Sequence, residues 1–185
     1  MKKQARKLWD IALRYFILIL VGIPNLWVFY LVFTPLTIYP VYFLLGLFYD
    51  VVLSGNQILI NNAIPIDIIK PCVAGSAYYL LLILNLTIPM QIKKRTKMLL
   101  FSFSSLLVLN VLRIFFLSLL FASGAPSFDI THKLFWYLGS TIFVIGIWFA
   151  GTKIFKVKEI PIYSDLKHLG LLKKAKKSKR SKKNK

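Results

Sequence analysis

The sequence predicts an all-α protein: a polytopic transmembrane helical bundle of about five to six spans. A short extracytoplasmic β-hairpin-like loop is expected before the third apolar run. Three observations carry that class. Of the 185 residues 57% are hydrophobic and 15% aromatic, and the mean hydropathy is +0.67. The apolar residues gather into runs close to the ~20 residues that cross a ~30 Å hydrocarbon core. The formal net charge of +19, from 25 Lys and Arg against 6 Asp and Glu, is held almost entirely in clusters outside those runs. Together these exclude a soluble nucleic-acid binder, which is as basic but not as apolar. A soluble domain of this length lacks the core to hide so much apolar surface, and the aromatic content excludes a disordered basic protein.

The elements follow in order. Residues 11–33 form the first apolar run, broken at Pro24-Asn25, and residues 36–53 the second. The N-terminal run has no small-residue cleavage site, so it reads as an anchor and not a removed signal peptide. Residues 2–16, where Lys and Arg flank Leu8, Trp9, Ile11 and Leu13, alternatively form an interfacial amphipathic helix. In residues 56–70 isoleucines alternate with their neighbours around Asn61-Asn62. That pattern reads as a two-stranded hairpin with an Asn turn, or else as an irregular amphipathic loop. The third run covers residues 73–92, the fourth 98–122 and the fifth 133–151. Residues 1–151 make one integral membrane domain. Residues 152–185 make a basic cytoplasmic tail, mostly disordered, that suits anionic lipid headgroups.

Basic clusters mark the cytoplasmic side. Lys93, Lys94, Arg95 and Lys97 join the third and fourth runs, so both of those ends lie inside, as does the chain after Gly151. The start of the third run, the end of the fourth and the start of the fifth then lie outside. The N-terminal half conflicts in parity. A cytoplasmic Met1 followed by two full spans puts residues 54–71 inside, whereas the third run requires them outside.

Only Lys70, Arg113 and Lys133 of the 25 basic residues fall outside the clusters. Arg113 sits within an apolar run, about 22 Å along a helix from Met98. A charge at that depth costs about 2.5–3.5 kcal/mol or more and is functional by default; the bland reading is an Arg that snorkels to the interface. Asn110, three residues away on the same face, favours an inward polar seam. Cys72 is the single cysteine, so no internal disulfide is possible. It follows Pro71 at the outer mouth of the third run and shares a face with Gly75, Ser76 and Tyr79. Taken alone, a lone Cys is most often a small buried hydrophobe. His132 opens the fifth run, with Trp136 and Ser140 on its face, and by itself is an interfacial His. Their convergence matters: three runs each place one reactive group at the same outer depth. A thiolate needs nearby positive charge, which Arg113, His132 and Lys70 are placed to supply. Two His and one Cys cannot build a standard metal site, and no phosphate-binding loop is present. Neither metal nor cofactor is expected.

On those residues the stretch 56–151 resembles the exosortase/archaeosortase family of membrane cysteine transpeptidases, and in particular its short, core-only archaeal members. The resemblance is carried by IPIDIIKPCVAGSAYYLLLILNL, the NVLRI core of the fourth run and THKLFWY opening the fifth. The family carries a Cys, an Arg and then a His or Arg, each at an outer helix end; here they fall at Cys72, Arg113 and His132. Many members have a Gly close after the Cys, where this chain reads Cys72-Val73-Ala74-Gly75. The resemblance implies a multi-pass cell-membrane enzyme with an extracytoplasmic site. Its partners would be exported proteins ending in a short motif, a transmembrane helix and a basic end, with a membrane lipid as acceptor and no specific nucleic acid. Cys72 would be the nucleophile, Arg113 the oxyanion holder and His132 the acid and base. Tyr79, Asn110 and Asp129 are candidates for support, and Gly75 with Ser76 a seam for a substrate helix.

Two other functions fit the same residues. One is a non-catalytic membrane assembly or binding protein in which Asp129 or Asn110 pairs with Arg113. The other is a thiol-dependent lipid acyltransferase. The topology is testable on its own: a membrane-impermeant maleimide added from outside is expected to label Cys72. Labelling only from the cytoplasmic side would overturn the charge-derived arrangement.

Overall fold

Two consecutive residues with left-handed backbone, Asn25 (φ 50°) and Leu26 (φ 61°), split the N-terminal apolar stretch. In the computed structural model, which describes residues 2–157, helix α1 (Lys2–Gly22) ends just before them and α2 (Trp27–Gly46) starts just after. The break expected at Pro24-Asn25 is present, but the runs on either side are partitioned differently. α2 takes the end of the first run and most of the second, and carries Pro35 and Pro40 inside it. The end of the second run becomes a strand. Helix α1 is inside out by soluble standards. Arg14 and Leu18 are buried while Trp9, Leu13, Phe16, Ile19 and Leu20 are exposed.

Residues 51–67 form a three-stranded antiparallel meander: β1 (Val51–Ser54), β2 (Gln57–Ile60) and β3 (Ile64–Asp67). The β2–β3 hairpin is the one read from the isoleucine alternation, and Asn61 and Asn62 both take positive φ in its turn. A two-stranded hairpin is corrected to three strands, because Val51, Val52 and Leu53 pair with Ile60, Leu59 and Ile58. An apolar run of β-branched residues reads equally as the end of a buried helix. Ile58 and Ile60 of β2 are completely buried and join the core.

The chain then makes one helical turn, α3 (Lys70–Val73), and passes through Ala74 at φ 60° into α4 (Gly75–Leu86). Helix α5 (Ile92–Ala122) follows, 31 residues and about 46 Å long at 1.5 Å per residue. It ends in a tight reversal. Gly124 (φ 65°) sits one past the cap, its N–H donates to Phe121 O, and the N–H of Ala125 donates to Leu120 O. That reversal folds α6 (Phe128–Leu134) back against the C-terminal part of α5. A π-helical turn (Phe135–Gly139) leads into α7 (Ser140–Ile154). The fifth apolar run is therefore divided among three segments.

The described residues are mostly helical with one small sheet. Of the spans expected, two helices among the described residues, α2 and α5, are long and apolar enough to cross a membrane. The segments 70–86 and 140–154 are shorter apolar helices. The third run loses length at Ala74 and again before Pro89. The tail from residue 158 onward lies outside the described residues. Large apolar side chains are exposed along α1, α2, α5, α6 and α7, among them Trp27, Phe43, Leu100, Phe116 and Phe149.

Two arginines close the far end of α4. Arg14 Nη1 donates to Leu86 O at 2.9 Å, while its Nε lies 3.4 Å from the Asp10 carboxylate. Arg95 Nη2 donates to Ile88 O at 3.2 Å. The last carbonyls of a helix have no intrahelical donor, and an apolar setting makes that vacancy expensive. Arg14→Ala is expected to lower the unfolding free energy by about 1.5–3 kcal/mol, as for a lost hydrogen bond to a charged donor. Denaturant unfolding in detergent measures this; an unchanged midpoint would show that Leu86 O finds another donor.

Candidate active site

The local sequence explains where Cys72 sits. Strand β3 ends at Asp67, and Pro71 occupies the first turn of α3, where its missing N–H costs nothing. Cys72 donates its N–H to Ile69 O at 2.8 Å. Ala74, buried and left-handed, then terminates the turn. Left-handed backbone costs an L-residue about 1–2 kcal/mol, so the thiol is presented from a bend held under strain between a strand and a helix. The glycine common after the Cys in the resembling family would be unstrained in this conformation. In this chain the residue that adopts it is Ala74, and Gly75 opens α4.

The Cys72 carbonyl is left without an intrahelical donor, and α5 supplies two. Asn110 Nδ2 donates to it at 2.8 Å and Arg113 Nη2 at 3.3 Å. Asn110 is 1% exposed. Arg113 Nη1 donates to Ser140 Oγ at 3.3 Å, so the guanidinium bridges the Cys72 turn to the start of α7. Its Nε is buried with no partner. The side chain is thus turned into the protein.

Cys72, Arg113 and His132 all line one cavity of about 430 Å³. Its walls come from β3, α3, the first residues of α4, the C-terminal half of α5, α6, the π turn and the start of α7. They are mostly apolar, with Ser76, Ser118 and Ser140 as hydroxyls and Asp67 as the one carboxylate. The thiol is free and half-buried. The ring of His132 stacks on Phe128, one helical turn earlier, at 5.4 Å and 6°. Phe128 in turn meets Phe121 at 4.9 Å. This aromatic ladder sets the plane of the imidazole along one wall. A π turn inserts an extra residue into a helix and is frequent beside functional sites; this one carries the chain from His132 to Ser140.

Other candidates fall elsewhere. Tyr79 is not in the cavity wall. Its hydroxyl donates to Leu18 O at 3.0 Å and joins α4 to α1. Asp129 is exposed in the first turn of α6, outside the wall, and neither it nor Asn110 is Arg113's partner. Gly75 is no open seam: a Cβ there would lie 2.8 Å from the Tyr30 ring of α2. Ser76 does face the cavity. Lys70 places its Nζ over the Tyr30 ring at 5.7 Å and lines a neighbouring cleft. Lys133 is exposed and outside the wall. Ser140 was visible in the sequence only as a helical-face neighbour of His132, and Asp67 carried no signal. The Trp136 side chain lies outside the described residues.

No protein-family model matches the chain, no curated protein matches it, and no solved structure matches it. The resemblance noted from the sequence therefore rests on the motifs alone.

The strain at Ala74 is testable. Ala74→Gly is expected to fold with equal or greater stability. Ala74→Val is expected to lose about 2 kcal/mol or more, since a β-branched residue is a genuine outlier at positive φ. Thermal melts in detergent compare the two, and equal stabilities would exclude a strained bend.

Proposed function

We propose that this chain is a multi-pass membrane cysteine peptidase and transpeptidase of the exosortase/archaeosortase type. It would cleave C-terminal sorting signals of exported proteins at the extracytoplasmic face and pass the new carboxyl end to a lipid. The observation that carries the reading is the shared cavity: residues 72, 113 and 132, from three separate elements, all line it.

Helix directions support the membrane arrangement. Arg14 meets Leu86 and Leu18 meets Tyr79, so α1 runs antiparallel to α4. Phe33 meets Phe103 edge-on and Phe48, just past the end of α2, meets Phe115, so α2 runs in the direction of α5. α1 packs on α4 and not as a hairpin on α2. In this reading α1 and α2 climb in sequence from the inner side and together make one crossing. The sheet then lies outside, and the parity conflict of the two N-terminal runs disappears. The shorter α4 and α7 cross beside α5.

The chemistry follows from the groups present. The Cys72 thiol gives its proton to His132 and attacks the scissile carbonyl, forming a tetrahedral oxyanion. Two guanidinium nitrogens of Arg113 are engaged by Cys72 O and Ser140, which leaves further N–H donors for that oxyanion. Collapse breaks the C–N bond, and His132 returns its proton to the leaving amine. The thioester is then resolved by a nucleophile that His132 deprotonates. A helix-anchored substrate reaches an outer site laterally, without leaving the bilayer.

A second reading has one observation in its favour: Arg113 already braces the Cys72 turn, as in a purely structural role. Replacement decides between them. Cys72→Ala is expected to abolish processing, with mass spectrometry of a substrate C-terminus as the measure. Arg113→Lys should lower turnover about 10²–10³-fold, as for loss of an oxyanion donor, and His132→Ala about 10²–10⁴-fold. A folded, inserted Cys72→Ala protein that still processes its substrate would exclude the peptidase.

A further inference from the structure

Four consecutive residues, Pro65, Ile66, Asp67 and Ile68, line the cavity that holds Cys72. Side chains on a strand alternate between its two faces. A wall that touches four in a row therefore runs along the strand's edge and not over one face. β3 is an edge strand, paired among the described residues with β2 alone. The phase of the ladder shows what that edge offers. Ile68 donates its N–H to Asn56 O at 3.0 Å, and the register pairs Ile66 with Ile58 and Ile64 with Ile60. In an antiparallel pair, hydrogen-bonded and non-hydrogen-bonded positions alternate. Ile64, Ile66 and Ile68 thus turn their backbone groups toward β2, and Pro65 and Asp67 turn theirs outward. The other side of β2 agrees: Asn61 donates to Asp50 O at 2.7 Å, which leaves Gln57 and Leu59 for β1. Pro65 has no N–H, as suits an edge. Asp67 presents one N–H and one C=O with no ladder partner.

We propose that an extended segment of the polypeptide substrate adds as a strand to the free edge of β3, pairing with the backbone of Asp67 and running on toward Cys72. This names how the substrate of the proposed peptidase is held and rests on that reading. The four-residue edge is about 13 Å long. Asp67 is exposed, so its outward N–H and C=O are within reach of a ligand, and the cavity wall beside it is apolar (Ile66, Ile68, Ile114, Leu117). An extended peptide satisfies both at strand spacing; an acyl chain satisfies neither. The apolar wall selects small or apolar side chains on the added strand.

The test uses the full chain in detergent and two alkylating probes of Cys72. In each, the thiolate displaces halide and a thioether forms. Iodoacetamide reports the thiol's own reactivity. Acetyl-tetraalanine chloromethyl ketone adds a strand's worth of backbone, and its rate is read as a ratio to that of iodoacetamide. The ratio is expected to fall about tenfold or more when the peptide is N-methylated at the amide facing Asp67, as for one or two lost hydrogen bonds. Asp67→Pro, which removes the edge N–H, should cause the same fall. Asp67→Ala, which keeps it, should hold the ratio. N-methylation on the unaltered protein gives the answer even if Asp67→Pro fails to fold. A ratio indifferent to N-methylation, or one lost equally in Asp67→Ala, overturns strand addition. So does a thiol closed to both probes, since the edge would then have no open cavity. The peptidase reading fails separately, if processing survives Cys72→Ala.

Discussion

The carbonyl oxygen of Cys72 is the point on which the site depends. It is the unpaired end of a one-turn helix, and in an apolar interior such an oxygen must find donors. Asn110 and Arg113 provide them from one face of α5, three residues apart. A single carbonyl thereby explains a buried Asn, an inward-turned Arg and the fixed orientation of the thiol beside them. It also holds the strained bend at Ala74 in place, because releasing the bend would break both bonds.

The same device recurs at the other end of α4. Arg14 from α1 and Arg95 from α5 donate to Leu86 O and Ile88 O. Segment 70–88 is thus suspended between two sets of cationic or amide donors aimed at its backbone oxygens, and of these side chains Arg14 alone also meets a carboxylate, that of Asp10. With 6 acidic residues against 25 basic ones, carboxylate partners are scarce. Main-chain oxygens at helix ends take their place. This places cationic side chains inside an apolar protein without an acidic partner for each, and it leaves Arg113 with donors to spare beside the thiol.

Much of this was legible in residue order. Pro24-Asn25 marked a break because proline cannot donate and asparagine tolerates positive φ. The alternating isoleucines around Asn61-Asn62 marked a hairpin. Arg113 and Asn110 stood out because polar residues at i and i+3 share a face. What misled was identity without geometry. Lys70 and Tyr79 lie near Cys72 in sequence, but a lysine reaches over Tyr30 and the tyrosine hydroxyl finds Leu18 O on a helix sixty residues away. Val51 to Leu53 read as helix because a buried strand and a buried helix end have the same composition. The inside-out α1 was invisible because periodicity reveals that a helix has two faces, not which one turns inward.

The sequence by itself determined the apolar class of the chain, its punctuation by Pro, Asn and Gly, and the three basic residues that break the clustering of charge. Each is set by local steric rules or by transfer free energy, which depend on a residue and its near neighbours. Only the tertiary structure decided that Arg113 binds the carbonyl of Cys72, that a π turn brings Ser140 to the same guanidinium, and that β3 presents its edge to the thiol. Those depend on which orphaned backbone group meets which donor once helices pack. That is a matter of distance and direction between elements, and no spacing along the chain encodes it.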